Sequence, residues 1–224
     1  MNMLTDLGCL ILMFLPNSLK LWVMNRFCNC HIHPSARIGF SFIRAGKLVL
    51  AEGASIKHFN LIRNLELFEL KEKALVGNFN QFTALPLHSA VHFADEKNRY
   101  PSLVLGAHSA IVSRHYFDCN NAIHIGHHSI IAGRNTLFYT HGINVTRNRQ
   151  ETTPIRIGNY CMLGAATVVL KGSVLPDYSV LAANSTLNKV HGETHAIYSG
   201  VPAIPVKSLD ASAQYFHREE GFVP

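Results

Sequence analysis

In the stretch "FYTHGINVTRNRQETTPIRIG", His141 opens a polar excursion that closes again on an isoleucine–glycine pair. An imidazole titrates near neutral pH, so at such a break it suits removal of a proton from an attacking hydroxyl. Upstream, "SRHYFDCNN" holds His115 and Asp118, and a carboxylate near such a base orients it. These three residues are the candidate catalytic set, although a structural hydrogen bond is the default reading of His115. His88 and His92 lie in an earlier polar stretch, where contact with a ligand competes with simple solvation. Cys28, Cys30, His31 and His33 form a tight cluster with no second Cys/His pair at finger spacing, so no metal is expected.

Composition narrows the rest. The 224 residues are enough for one domain with a substantial core, and 48% are hydrophobic. The formal charge of +6 comes without Lys/Arg runs or interleaved aromatics, so no nucleic-acid partner is expected. A small anionic ligand or an anionic membrane surface suits that charge equally well. Five irregularly spaced cysteines fit free thiols in a reducing cytoplasm. The apolar start "LGCLILMFLP" is well short of the roughly 20 residues that span a bilayer, and it has no basic leader of a signal peptide. Leu19, Trp22, Val23 and Met24, mixed with Lys20, Asn25 and Arg26, predict a short amphipathic helix. Packing over the end of the domain and lying on a membrane are both open for it.

The element that must position these residues is a repeat. From Ile32 an aliphatic residue returns every six positions: Ile32, Ile38 and a misfit Arg44; Leu50, Ile56, Ile62; Leu70, Val76, Phe82; Leu105, Ile111, Phe117. Ile125, Ile131, Leu137 follow, then Ile157, Leu163, Val169 and Leu175, Leu181, Leu187. Extra residues enter only after the third member of a group. Six is a multiple of the strand period of two, so every marked residue points the same way. Three short strands per turn then make one triangular coil of a β-solenoid, with about seven coils in all. Four positions after each first marker only small residues occur (Ala36, Ala54, Ala74, Ser109, Ser129, Cys161, Ser179), as a tight corner demands. Cys161 in that column is no nucleophile, since a buried thiol is inert. The second column, Phe42, Asn60, Asn80, His115, Asn135, Thr167 and Ser185, predicts a stacked polar ladder. Two long excursions, "PLHSAVHFADEKNRYPS" and "GINVTRNRQETTP", leave from the same corner, where loops of that size are more often functional than decorative.

"IGNYCMLGAATVVLKGSVLPDYSVLAANS" followed by "YSGVPAIPVKSL" is similar to the hexapeptide-repeat acyltransferases, and within them resembles the sugar O-acetyltransferases of bacterial polysaccharide biosynthesis. The resemblance covers residues from about 32 to 209. It implies a left-handed parallel β-helix, a homotrimer, acetyl-CoA as co-substrate and a sugar hydroxyl as acceptor. It makes His141 the general base. It places the acyl donor along Gly164, Ala165, Ala183, Gly200, Pro202, Ala203 and Lys207, with Lys189 as a phosphate partner and Arg218 as a further one. Cys161-Met162 departs from the pattern, because many relatives carry an aromatic there. The expected parts are a helical segment over 1–30, the β-helix over 31–190 and a turn and tail over 191–224. A cytoplasmic protein is expected, with peripheral membrane contact through the first segment left open.

Two alternatives stand beside this reading. A γ-class carbonic anhydrase uses the same solenoid and interface histidines, typically two of them five apart, and no two histidines here have that spacing. A non-catalytic β-helix scaffold would keep the fold without the activity.

Overall fold

The computed structural model describes residues 3–89, 91–93 and 95–223; Ala90 and Ala94 of the first long loop, Met1, Asn2 and Pro224 lie outside the described residues. Short strands stack in parallel on three faces. The second face runs Arg37–Ile38, Ser55–Ile56, Leu75–Val76, Ala110–Ile111, Ile130–Ile131, Met162–Leu163, Val180–Leu181 and Ala196–Gly200. Gln81–Thr83, Tyr116–Asp118, Leu137–Tyr139, Val168–Leu170 and Thr186–Leu187 stack on the third. The first face includes Cys30–Ile32, Ser102–Leu105, Ala122–Ile125, Ile155–Ile157 and Val174–Leu175. Two long strands, Phe42–Leu50 and Leu61–Leu70, run from the third face into the first without a separate turn.

Each inward side chain meets its equivalent one coil away. Leu105, Ile111, Ile131, Leu163, Val169 and Leu181 are wholly buried, and the core is one continuous cluster. The period is off by one residue at two places. Ile43, not Arg44, sits opposite Ile62, and Phe138, not Leu137, sits opposite Phe117 and Val169. Both corrections fall where two large residues are adjacent. Packing makes the choice: Phe138 completes a stack with Phe117 and Phe82 at centroid spacings of 4.5 and 4.8 Å.

The polar ladder shifts with them. Asn60 N–H donates to Ser41 Oγ (3.0 Å), Asn80 N–H to Asn60 Oδ1 (2.9 Å), His115 N–H to Asn80 Oδ1 (2.9 Å) and Thr136 N–H to His115 Nδ1 (3.1 Å). Ser41 and Thr136 thus replace Phe42 and Asn135 in the column. These four turn amides each find a side-chain acceptor in the coil before, which a dry interior requires. The small-residue column is buried throughout, and burial raises the Cys161 thiol to about 12. The glycine of each isoleucine–glycine pair has a direct cause: a Cβ on Gly126 would stand 2.6 Å from the Gly158 backbone.

Two helices precede the coils, where the sequence predicts one. α1 (Met3–Phe14) and α2 (Asn17–Phe27) are parted at Pro16, which cannot supply an N–H to continue α1. Leu21 and Met24 of α2 close the open end of the core. No helix among the described residues is long and apolar enough to cross a membrane. At the other end Ala196–Gly200 and Ala203–Ser208 form an antiparallel hairpin, and the tail returns over the corner between the first and second faces. There Tyr215 OH donates to Cys161 O (3.2 Å), and Arg218 stacks on Tyr215 at 3.9 Å while donating to Tyr215 O (2.6 Å). Docking the tail therefore occupies the Arg218 side chain.

Candidate active site

The chain leaves the prism at the corner between the third and first faces. Residues 84–101 form the first loop, and His141–Asn144 pairs antiparallel with Arg149–Thr152 to make the second excursion a β-hairpin. The hairpin turns where Asn144 Oδ1 accepts from Arg147 N–H (3.1 Å) and Asn148 takes a left-handed conformation (φ 47°). Asp118 ends a third-face strand. Phe117 points into the core, so the strand alternation sends Asp118 outward to this corner. The two excursions cover it: its side chain is 3% exposed.

There Asp118 Oδ2 accepts a hydrogen bond from His141 Nδ1. An ionised carboxylate only accepts, so Nδ1 carries the proton and the neutral ring keeps its lone pair on Nε2. Among the described residues no hydrogen bond occupies Nε2, and the His141 side chain is 32% exposed. The other oxygen, Asp118 Oδ1, accepts from the Asn120 side-chain amide and from Asn120 N–H (3.3 Å). Thr140 ties the strands below by donating from Oγ1 to Asp118 O (2.8 Å) and accepting from Asn121 N–H (2.9 Å).

Three supporting residues were not singled out in the sequence. Asn120 Oδ1 accepts from Leu85 N–H (2.8 Å) and Arg99 Nη1 (3.4 Å). Arg99, 5% exposed, also donates to the carbonyls of Leu85 (3.1 Å) and Leu87 (2.9 Å), folding the first loop around itself. Burial lowers its pKa, while the nearby carboxylates of Glu66, Asp118 and Glu96 act the other way. Phe93 packs between the Arg99 guanidinium (4.8 Å) and the His141 ring (edge-on, 5.8 Å). Thr152 Oγ1 donates to Glu96 Oε2 (3.3 Å) and joins the two excursions. Between them lies a recess of about 240 Å³ lined by His92, Phe93, Asp95, Arg149 and Gln150. Asn120 had a faint signal, two positions after Asp118; Arg99 and Phe93 had none.

No protein-family model matches the chain, and no curated protein sequence matches it. Solved structures do. The polySia-specific acetyltransferase NeuO superposes with a TM-score of 0.54 at 14% identity, over 80% of this chain and 74% of that one. LpxA of Acinetobacter baumannii gives 0.50 at 12% identity, over 80% and 72%. A hexapeptide-repeat acetyltransferase of Vibrio cholerae, solved with acetyl coenzyme A, is 22% identical over 71% and 72%, with a TM-score of 0.46. The chain has the hexapeptide-repeat β-helix fold.

Within that hexapeptide-repeat fold the residues singled out from sequence fall on different corners. His141, Asp118 and Lys189 lie between the third and first faces; the carbonyl of Lys189 accepts from Val174 N–H (3.2 Å). Gly164, Ala165 and Ala183 lie between the second and third faces, in stacked turns where Gly164 N–H donates to Leu181 O (2.8 Å) and Asn184 N–H to Ala165 O (2.9 Å). Gly200 continues that corner through its N–H to Ser185 Oγ (3.1 Å). Pro202, after a cis peptide bond, and Ala203 form the hairpin turn, and Lys207 stands opposite Ile197. A whole face separates the two sets within one chain. His115 meets neither Asp118 nor His141: it is a rung of the ladder, and burial pulls its pKa to about 4. Among the described residues no three His, Cys, Asp or Glu side chains gather as a metal site; Cys30 of the N-terminal cluster is buried, with its thiol raised to about 12.

Proposed function

We propose that this chain is a coenzyme A-dependent O-acyltransferase that moves an acetyl group from acetyl-CoA to a sugar hydroxyl. The observation that supports it is the Asp118–His141 pair, with Nε2 open at the corner where both excursions leave the prism. In the reaction the acceptor O–H gives its proton to His141 Nε2 as its oxygen bonds to the thioester carbonyl carbon. Asp118, fixed by Asn120, stabilises the imidazolium that results. As the C–S bond breaks, Nε2–H returns the proton to the departing sulfur, so no group on the enzyme is consumed.

The recess between the excursions has both an aromatic edge (Phe93) and an ion pair, Arg149 with Asp95 at 3.3 Å, which suits a polar acceptor such as a nucleotide- or lipid-linked sugar. Gly164, Ala165 and Ala183, on the corner between the second and third faces, offer a narrow ridge of small residues for the pantetheine arm. Gly200, Pro202, Ala203 and Lys207 continue it, and Lys189 supplies a cation on the opposite corner. Because those residues and His141 sit on different corners, a site that uses both is completed by a neighbouring copy, and a cyclic trimer closes such contacts. The division that fits is a cap over 1–30, the β-helix over 31–190 and a turn and tail over 191–224. Five free thiols suit a reducing cytoplasm.

The test is release of free thiol from acetyl-CoA across a panel of sugar acceptors. His141→Ala is expected to abolish release while coenzyme A still binds. Turnover retained by that variant would remove His141 from the mechanism, and no coenzyme A binding by the wild type would overturn the reading as a whole.

A further inference from the structure

The end cap of this solenoid is built the wrong way round for water. A solenoid's terminal cap ordinarily shows an apolar face to the coils and a polar face to solvent. Here α1 exposes Leu7, Leu10, Ile11 and Phe14, whose spacing makes one continuous helix face. α2 adds Leu19, Trp22 and Phe27, with Phe14 and Trp22 exposed at 69% and 60%. Phe14 touches Phe40, itself exposed, so the apolar surface continues onto the first coil.

Charge on the cap is disposed of with equal care. Asp6 is paired with Arg44 at 3.0 Å. Lys20 is 3% exposed and spends its ammonium on the carbonyls of Met13 (3.2 Å), Ile38 (3.1 Å) and Gly39 (2.9 Å). At the break between the helices, Leu15 N–H donates to Leu12 O and Lys20 N–H to Pro16 O. Three carbonyls at the junction, those of Leu12, Met13 and Pro16, thus find donors within the chain. One side-chain charge of the two helices is left outside: Arg26, 5.3 Å over the Phe27 ring, beside the Trp22–Phe27 edge contact.

We propose that this face is a docking surface for a lipid bilayer, with α1 and α2 lying in the interfacial plane and the coils standing off the membrane. An aromatic pair with a flanking cation is the chemistry of the headgroup boundary. Charge argues for lipid over a second copy of the chain. A copy would bring the same lone cation and no free anion to meet it, whereas anionic headgroups supply one. The apolar face carries most of the binding; Arg26 adds about a fivefold preference for anionic lipid. The inference rests on the cap alone and is independent of the transferase reading.

Trp22 is the chain's single tryptophan, so the full-length protein reports on itself. It is mixed with vesicles of phosphatidylcholine alone or with phosphatidylglycerol, then followed by flotation and by tryptophan emission. Wild type is expected to float with the vesicles and shift its emission to the blue. Leu10→Gln with Ile11→Gln is expected to lower partitioning at least tenfold with an unchanged circular dichroism spectrum. Arg26→Gln is expected to lose the anionic-lipid preference only. Protein that stays in the aqueous fraction with unmoved emission overturns the proposal. So does a lipid-free, concentration-dependent blue shift with a dimer in sedimentation that the double variant dissolves, since a second copy is then the occupant.

Discussion

At the corner between the second and third faces, His115 is 2% exposed, accepts a backbone N–H on Nδ1 and has its pKa drawn down to about 4 by burial. At the next corner, His141 holds the same ring one-third exposed, with Nδ1 on a buried carboxylate and Nε2 open. The two differ in what each corner must do. The first is closed by coil-to-coil stacking, so Asn60, Asn80 and His115 there each accept the next turn's amide. The second is where the chain departs, so a side chain there keeps one edge free. A histidine's chemistry in this fold follows from its corner, not from its neighbours in sequence.

The contrast can be broken most severely at Asp118. Asp118→Asn removes the negative charge and turns an amide N–H toward Nδ1, which reverses the tautomer, and acyl transfer is expected to fall by about 10²–10⁴-fold with little change in melting temperature. An equal fall in melting temperature would instead make the carboxylate a structural rung like His115. Next comes the stack beneath both corners: Phe117→Ala should cost about 3–5 kcal/mol in urea unfolding, because the ring lies between Phe82 and Phe138.

A smaller effect is expected at the loop. Arg99→Gln frees the first excursion and loosens Asn120, lowering kcat about tenfold while Arg99→Lys restores part of it; a change confined to KM would mean that Arg99 shapes only the recess. The ladder side of the comparison is sharpened by His115→Leu, which strands the Thr136 N–H and should cost about 1–3 kcal/mol. His115→Asn, which keeps an acceptor as Asn60 and Asn80 do, should cost much less and leave activity intact. The linkage has a definite sign. The native pKa of about 4 lies below the ordinary 6.5, so the unfolded chain takes up the proton first. Stability is full above pH 6.5 and declines as pH falls toward 4, by about 1 kcal/mol per pH unit. Urea midpoints across that range should show the slope in wild type and a shallower one in His115→Asn, where His124, His128 and His191, also lowered by burial, remain.

Much of the architecture was legible because the repeat is a packing requirement written at fixed intervals. Leu163, Val169, Leu175 and Leu181 each face the core since a strand period of two divides six. The same logic failed at Arg44 and Leu137, where a neighbour of similar bulk offered a second register. It also gave a helix only to the segment after Pro16, because Pro16 and Asn17 mark a break without saying that helix exists on both sides. His141 and Asp118 were legible one coil apart, with Asp118 facing outward, but the hydrogen bond between them was not, because the repeat fixes the coil and not the side-chain distance. Arg99 and Phe93 were invisible, since a loop's shape has no period.

The sequence by itself determined the three-sided stack, its buried aliphatic columns, its small-residue corner and the points where the chain departs, because these repeat and each rung is dictated by the next. Only the tertiary structure decided which of two adjacent residues turns inward, which histidine acquires a carboxylate, and that a buried arginine shapes the loop around them. Those outcomes depend on contacts between segments far apart in the chain, where volume, desolvation and hydrogen-bond geometry choose among options that local pattern leaves equal.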